Sequence, residues 1–530
     1  MLFVDELTEI IDRAIHDSGY FNDSADLIQC QNDTAFGEYK TNVAIRIASK
    51  EQLNPVSLAV QIAQNIELFE IGSATVLDGL IYIKLNPGYI ERKLALACHT
   101  PKPNKRQRII VDYSGPNTAY PMRAESLRSS CVGDVIANIL EHQGHEVKRQ
   151  NHLKDFSIQL GMLMQQLNFS TDFDAKELEK EYTIAVERFR KDKEFQKEAH
   201  KRLLYLQNGG KRELHLWSAI MDVYLPQFNN LYKRLGIRLN QKDEKSQSQY
   251  APYCGMIVTE LITKQIAVGS YGAVVCLTKD KTPIVIRNED GTYTPATFDL
   301  AAMFYRSKNL GADRIIYVRD KEQVKFYNQL FQIATSAGWF SGTKPSIVPV
   351  GIMLGKTQIK LSEFVEEAIS SGALYSKKLP AHVGIGAIKY SALAHEYGDF
   401  VFNWDKALSN QSNSSLYIQS VYASICHLLK ENLSSDKPTK AGPMNLEKVA
   451  EMRLALKLLR FPEAVSKTAS ELNTQHLCTY LYEVAQAYNN MRYRYEILGH
   501  AGRLKLAAHT LDVLAEGTYI LGITTPEAMV

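Results

Sequence analysis

Residues 111–159 read VDYSGPNTAYPMRAESLRSSCVGDVIANILEHQGHEVKRQNHLKDFSIQ, and their pattern decides the fold. Ile109, Ile110 and Val111 form a β-branched run suited to a strand. Ser114-Gly115-Pro116-Asn117 has the chemistry of a turn. From about 124 to 143 apolar residues recur at helical spacing, and Gly144 supplies the stop. A second short strand follows. Strand, turn, helix and strand in that order make the unit of a doubly wound parallel sheet. In such a unit the first turn of the helix offers free N–H groups to phosphate.

Upstream, residues 1–100 read as a small α+β module. Helical apolar spacing covers 4–15, GEYKTNVAIRIASK (37–50) reads as a turn into a second helix, and TVLDGLIYIKL (75–85) reads as paired strands. HTPKPNKRQR (99–108) has the composition of a linker. Downstream, an α/β domain is expected over 106–379, with a helical insertion at about 170–245. Within the insertion, residues 176–208 alternate charges at helical spacing, the pattern of a solvated helix. IVIRNEDGTYTP (284–295) reads as a hairpin turning at Asp290-Gly291. ADRIIYVRDKEQVKFYNQLFQIATSAGWF (312–340) repeats the alternation of strand and helix. From about 380 the strand pattern fades. Amphipathic stretches at 415–431, 446–459, 475–498 and 503–521 predict an all-helical domain over 380–530.

Composition narrows the function classes. The 530 residues are 45% hydrophobic and 22% charged with a net charge of +3, which neither demands nor excludes a nucleic-acid partner. Seven cysteines, an odd number without a C-x-x-C pair, point away from a metal site or disulfide framework and toward a reducing compartment. No apolar run approaches the ~18 residues of a membrane span. The N-terminal MLFVDELTEIIDRAI has no basic stretch, so a cytoplasmic location without a membrane partner is expected.

Ser114, Pro116, Asn117, Ala119 and Pro121, then Leu127, Arg128 and Ser129, stand at the spacing of S-P-N-x-A-K-P followed by H-x-G-H-L-R-S-T. In this the chain resembles the arginyl-tRNA synthetases, which belong to class I. Further blocks carry the likeness along nearly the whole sequence: Phe36-Gly37-Glu38-Tyr39 with Thr41, Asn42 and Ala44; Arg149-Gln150-Asn151-His152 with Gln159; VGIGAIKYSAL (383–393); FNWDKALSNQSNSSLYIQSVYA (402–423); and RFPE, LCTYLYEVAQAYN and RLKLAAHTLDVLAEGTYILGITTPEAM toward the end. The resemblance implies a Rossmann-type α/β catalytic domain, an N-terminal tRNA-contacting module over 1–100, and an all-α anticodon-binding domain over 380–530.

The likeness is uneven at the sites. Tyr120 stands for the family's lysine, Arg123 and Ser126 for its two histidines, and Glu125 for its glycine. A carboxylate at a helix N-terminus suits the helix, but it repels a triphosphate and competes for the same N–H groups. GIMLGKTQIKLSEFVEEA (351–368) starts like the second signature, yet residues 355–361 are too few for a K-x-K-T/S-R-x-G loop. Arg128 and Lys356 are the candidate remnants of the phosphate site, with Lys360 beside them. For arginine the resemblance nominates Asp112, Asn117, Asp299 and Gln323, since carboxylates suit a guanidinium. Pro295 and Phe298 replace a family tyrosine and arginine. The plainer alternative is that Asp299 caps a helix and Asn117 holds a turn.

Candidate tRNA contacts are Tyr39, Asn42, Tyr417, Gln419, Arg492 and Arg494, the last two within MRYRYEILGHAGRLK, where basic and aromatic residues interleave. The alternative for that segment is a solvated helical face. The resulting expectation is a synthetase-like protein that binds arginine tRNA or arginyl-tRNA with arginine activation weak or lost. It would act as a binding factor or as a transferase with arginyl-tRNA as donor. The competing expectation is an active arginine–tRNA ligase with an unusual phosphate site, and only that reading requires ATP and magnesium.

Overall fold

A computed structural model describes residues 3–21, 28–30, 36–94, 102, 103, 105–279, 282–435, 439, 442–444 and 446–528. The linker expected at 99–108 falls partly outside these residues. The central sheet has four parallel strands: β1 (Arg108–Asp112), β2 (Glu146–Gln150), β3 (Arg314–Asp320) and β4 (Lys344–Val350), in the order β4-β3-β1-β2. Register places Asp112 beside Tyr317 on one side and Gln150 on the other. The central strands β1 and β3 are mostly apolar because helices cover both faces of a parallel sheet, whereas the edge strand β2 (EVKRQ) is largely polar.

Helix α1 (Ser126–His142) makes the first crossover, and every residue from Leu127 to Leu140 is buried. One side lies on the sheet, where Gly133 passes so close to Tyr113 that a Cβ would sit 2.2 Å from the tyrosine's own Cβ. Its polar positions are satisfied across the other side. Asp134 accepts from the Tyr113 hydroxyl at 3.0 Å and the Arg238 amide at 2.8 Å, and Asn138 donates to the Ile520 carbonyl at 2.9 Å. Further along the chain, helices α2 (Pro295–Phe304), α3 (Val324–Ser336) and α4 (Leu361–Gly372) flank the later strands.

The insertion comprises helices Ala175–Lys191, Lys193–Gln207 and Lys211–Leu235, the first two capped by Asp174 and Asp192. It is not merely a solvated appendage. Phe195, Ala199, Leu203 and Leu206 are buried, and the Tyr182 ring lies 5.1 Å from that of Tyr120. The expected hairpin at 284–295 is present and short: Arg287 bridges Tyr293 antiparallel, the Asn288 amide donates to the Thr292 carbonyl at 2.9 Å, and Pro295 then starts α2 directly. Strand Pro283–Arg287 also pairs antiparallel with Ala273–Leu277.

Before the sheet lies a four-stranded module in which Gly72–Leu77 and Leu80–Leu85 meet at Asp78-Gly79, both with positive φ (53° and 79°) as a tight hairpin requires. After it come helices Ser415–Ser434, Val449–Leu459, Phe461–Glu471, Gln475–Arg494 and Ala501–Ile520. Residues beyond 380 are still tied to the earlier part. Phe400–Val401 pairs in parallel with Met353–Leu354, and the buried Lys389 donates to the carbonyls of Gly236 (3.3 Å) and Gly522 (2.5 Å).

The two flanking units also meet each other. Arg460 lies 5.1 Å from the Tyr39 ring and donates to its hydroxyl at 3.3 Å, and Lys505 pairs with Glu91 at 2.8 Å. In the same contact Glu463 has a carboxylate oxygen without a partner, and burial raises its pKa from about 4.5 to about 7, with Arg460 opposing and Asp5 adding to the shift. A raised carboxyl stabilises the fold at acid pH, and that contribution is lost as pH climbs through about 7. Glu463→Gln is therefore expected to raise the melting temperature at pH 8 and to change it little at pH 4.5, as measured by scanning fluorimetry.

Candidate functional site

At the C-terminal edge of β1 and β3, a cavity of about 380 Å³ opens over the first turn of α1. This is where a doubly wound sheet exposes its ligand site. Ser114 and Gly115 shape the floor turn with φ of 68° and 61°. Asn117 both holds that turn, accepting from the Ala119 amide at 2.9 Å, and faces the cavity.

One wall carries the altered signature. Glu125 occupies the N-cap position of α1, makes no capping hydrogen bond and stands exposed in the cavity. Burial and nearby Asp320 raise its pKa, against Arg123 and Lys154. Arg123 lines the same wall but donates to Gln358 at 2.7 Å, and Ser126 turns its hydroxyl back to the Arg123 carbonyl at 2.7 Å. The segment after β4 is zipped to this turn. The Ala124 amide donates to Ile359 at 2.9 Å, and the Leu361 amide to Met122 at 2.8 Å.

The opposite wall is a buried charge cluster. Asp112 is fully buried, and its Oδ2 accepts from Arg306 at 2.5 Å and Arg319 at 2.7 Å. Burial favours the neutral acid, but the two guanidinium groups override it and hold the carboxyl down to about 2. Asp299 accepts from the Tyr327 hydroxyl at 3.1 Å and lies 3.8 Å from His152. His152 lines the cavity with neither ring nitrogen hydrogen-bonded, and burial lowers its pKa to about 3, so it is neutral at pH 7. Lys154 reaches the cavity and makes no ion pair among the described residues.

Three family models match the chain: the N-terminal domain of arginyl-tRNA synthetase over residues 5–85, the class I (R) tRNA synthetase catalytic domain over 90–404, and the DALR anticodon-binding domain over 418–529. The arginine–tRNA ligase of Yersinia enterocolitica is 33% identical across 93% of this chain and 94% of its own. That of Serratia proteamaculans is 31% identical across 99% of both. The chain belongs to the arginyl-tRNA synthetase family. Its fold is that of the Plasmodium falciparum enzyme (TM-score 0.85, 22% identity, 100% and 99% of the chains covered) and of the Thermus thermophilus enzyme (0.81, 20%, 100% of both).

Set against this family, the nominated residues fall into two groups. Asn117, Tyr120, Arg123, Glu125, Ser126, Asp299 and Gln323 all line one cavity. Asp299 lies in the second turn of α2, whose N-cap is Thr294, so the capping alternative is ruled out. Asp112 does not line the cavity, being sealed behind Arg319. Arg128 is no phosphate ligand: it is fully buried and its guanidinium serves the carbonyls of Gly351, Ala392, His395, Glu396 and Gly398. Lys356 is likewise engaged, 2.5 and 2.8 Å from the two Glu367 oxygens and outside the cavity.

Two nominated tRNA contacts are internal. Tyr39 is 1% exposed, and Gln419 is buried with its amide donating to His382 and Thr524. Tyr417 is half-buried and accepts from Asn489 at 2.9 Å, and Asn42 is half-buried at the N-cap of Val43–Glu51. Arg492 and Arg494 are exposed at the end of Gln475–Arg494, on either side of Tyr493, which is 83% exposed.

Sequence reasoning missed Arg319 and Lys154. The one visible signal for Arg319 is a cation ending the otherwise apolar run IIYV. The structural role of Arg128 is open to a direct check. A single ammonium cannot serve five carbonyls, so Arg128→Lys is expected to cost about 2–4 kcal/mol, read as an earlier midpoint in urea.

Proposed function

We propose that this protein binds tRNA of the arginine type as a binding factor, with ATP-dependent activation of arginine weak or lost. The observation that carries this reading is the Glu125 carboxylate, exposed in the cavity at the N-terminus of α1. Positive helix-end potential and free N–H groups are what would hold a triphosphate there. A fixed negative charge opposes that binding, and neither Arg128 nor Lys356 is free to offset it. The segment 355–361, pinned to residues 122–124, supplies no long lysine-bearing loop for the departing pyrophosphate. Removing even one positioned donor of this kind typically costs about 100- to 1,000-fold in rate.

The surface that supports tRNA contact is the exposed Arg492, Tyr493 and Arg494, with Tyr417 and Asn42 as further candidates. Arginine supplies phosphate contact and an exposed tyrosine a stacking face. No described helix is long and apolar enough to cross a membrane, and a tRNA-binding role is consistent with a cytoplasmic location. The transferase reading requires the arginyl side chain to be seated in the cavity, behind whose wall Asp112 is sealed and already paired. An active ligase has one observation in its favour. Lys154 and Arg123 face an open cavity alongside Asn117, Asp299 and Gln323, and on that reading alone ATP and magnesium enter.

ATP–pyrophosphate exchange with arginine and tRNA is the deciding measurement, with no arginine-dependent exchange above background expected; robust exchange would establish the ligase. Glu125→Gln is expected to tighten ATP binding about tenfold, or about 1.4 kcal/mol, in a fluorescent-nucleotide titration. Separately, Arg492→Ala with Arg494→Ala is expected to weaken tRNA binding and to make its salt dependence shallower by about one unit per lost contact. An unchanged affinity and slope would move the tRNA surface elsewhere.

A further inference from the structure

We infer that Lys154 anchors the carboxylate of free arginine in this cavity. The inference concerns what the cavity holds, and it stands apart from tRNA contact and from the loss of activation. The main chain of Lys154 is fastened to the signature turn: its amide donates to the Pro116 carbonyl at 3.0 Å, and its carbonyl accepts from the Thr118 amide at 3.4 Å. The side chain has no such tie. It is exposed, lines the cavity and makes no hydrogen bond or ion pair among the described residues. A cation whose base is fixed and whose head is unpaired is available to a ligand.

The other charges of the lining select that ligand. Arg319 is spent on Asp112, Arg123 donates to Gln358 at 2.7 Å, and Asp299 accepts from the Tyr327 hydroxyl at 3.1 Å. Glu125 and Asp320 resemble Lys154 in having no side-chain hydrogen bond or ion pair among the described residues. Burial raises the pKa of both acids and lowers that of Lys154. Lys154 opposes the first two shifts and Asp320 the third, so each of these groups feels another across the same space. The lining as a whole is balanced, with Arg123, Lys154 and Arg319 against Glu125, Asp299 and Asp320, and Asp112 and Arg306 cancel behind it. A balanced cavity with unpaired charges of both signs suits a ligand that carries both signs. A triphosphate carries only one and meets Glu125 and Asp320. An amino acid brings a carboxylate, which an ammonium holds by charge-assisted hydrogen bonds. Arginine, the amino acid of this family, adds two cationic groups for Glu125, Asp299 and Asp320. Charges drawn out of water are tolerated when each is paired, and arginine supplies the missing partners.

Isothermal titration of L-arginine and of L-argininamide, whose carboxylate is replaced by a neutral amide, tests this on the full chain. The unaltered protein is expected to bind arginine at least about tenfold more tightly than the amide. Lys154→Gln is expected to bind the two alike, with its affinity for the amide within about twofold of the unaltered protein's. Lys154→Arg, which keeps the charge, should restore the preference for arginine. An unaltered protein that binds neither compound, or both equally, overturns the inference without any variant. So does a Lys154→Gln that still prefers arginine. A Lys154→Gln that keeps its arginine affinity but loses affinity for a fluorescent ATP analogue assigns the ammonium to phosphate and overturns it too. Absence of the arginine preference while tRNA still binds sinks only this inference. Arginine-dependent pyrophosphate exchange with the preference intact sinks only the proposed function.

Discussion

The carboxylate of Asp112 sits where the centre of the sheet meets the cavity, and the organisation of the site follows from how it is neutralised. A charge with no solvent contact persists only if it is paired and hydrogen-bonded. Here the partners come from the turn after α2 and from the end of the neighbouring strand, so one carboxylate fixes β1, β3 and α2 against each other. Tyr327 extends the network to Asp299 along the same wall of the cavity. The arrangement is rigid, and ligand chemistry in the cavity is set by which of these charges remains unspent.

A second constraint acts at the other end of the strand–helix unit. Helix α1 is enclosed by the sheet on one side and by later helices on the other, which explains its dense apolar sequence and its few, fully matched polar residues. Arg128 gathers carbonyls from two segments, at 351 and 392–398, and Lys389 gathers two more from 236 and 522. Both are cations spent on holding chain ends of elements together. This retains the family scaffold around a cavity lined by Arg123, Glu125 and Ser126.

The sheet and the helical C-terminal region were legible because local periodicity reports which face of an element is buried. Residues 109–111 and the start of 312–340 read as strands, and 124–143 as a helix, for that reason. The tight turn at Asp78-Gly79 was implied by the chemistry of its residues, and so was the short hairpin within 284–295, which turns at Asp290-Gly291 before Pro295 begins a helix. The seven cavity-lining residues could be nominated from the family pattern. What periodicity does not carry is the partner of a charge. Arg306 and Arg319 lie 194 and 207 residues from Asp112, and nothing local ties them together. Tyr39 and Gln419 look like contact residues in a linear pattern, and only tertiary packing buries them, Tyr39 against Phe3 and Arg460 and Gln419 against the carbonyls of His382 and Thr524.

The stitch between residues 122–124 and 359–361 has a consequence for how the site responds to whatever enters it. Enzymes commonly use a mobile flap to surround a substrate, spending part of the binding energy on ordering that flap. Here the rim is already fastened by main-chain hydrogen bonds, with Lys360 bridging to Glu179 of the insertion at 2.7 Å. A movement of the 355–361 segment over the cavity would have to break these bonds first. Among the described residues, this side of the rim thus costs ordering free energy only once, when the chain folds, and not again when the cavity fills.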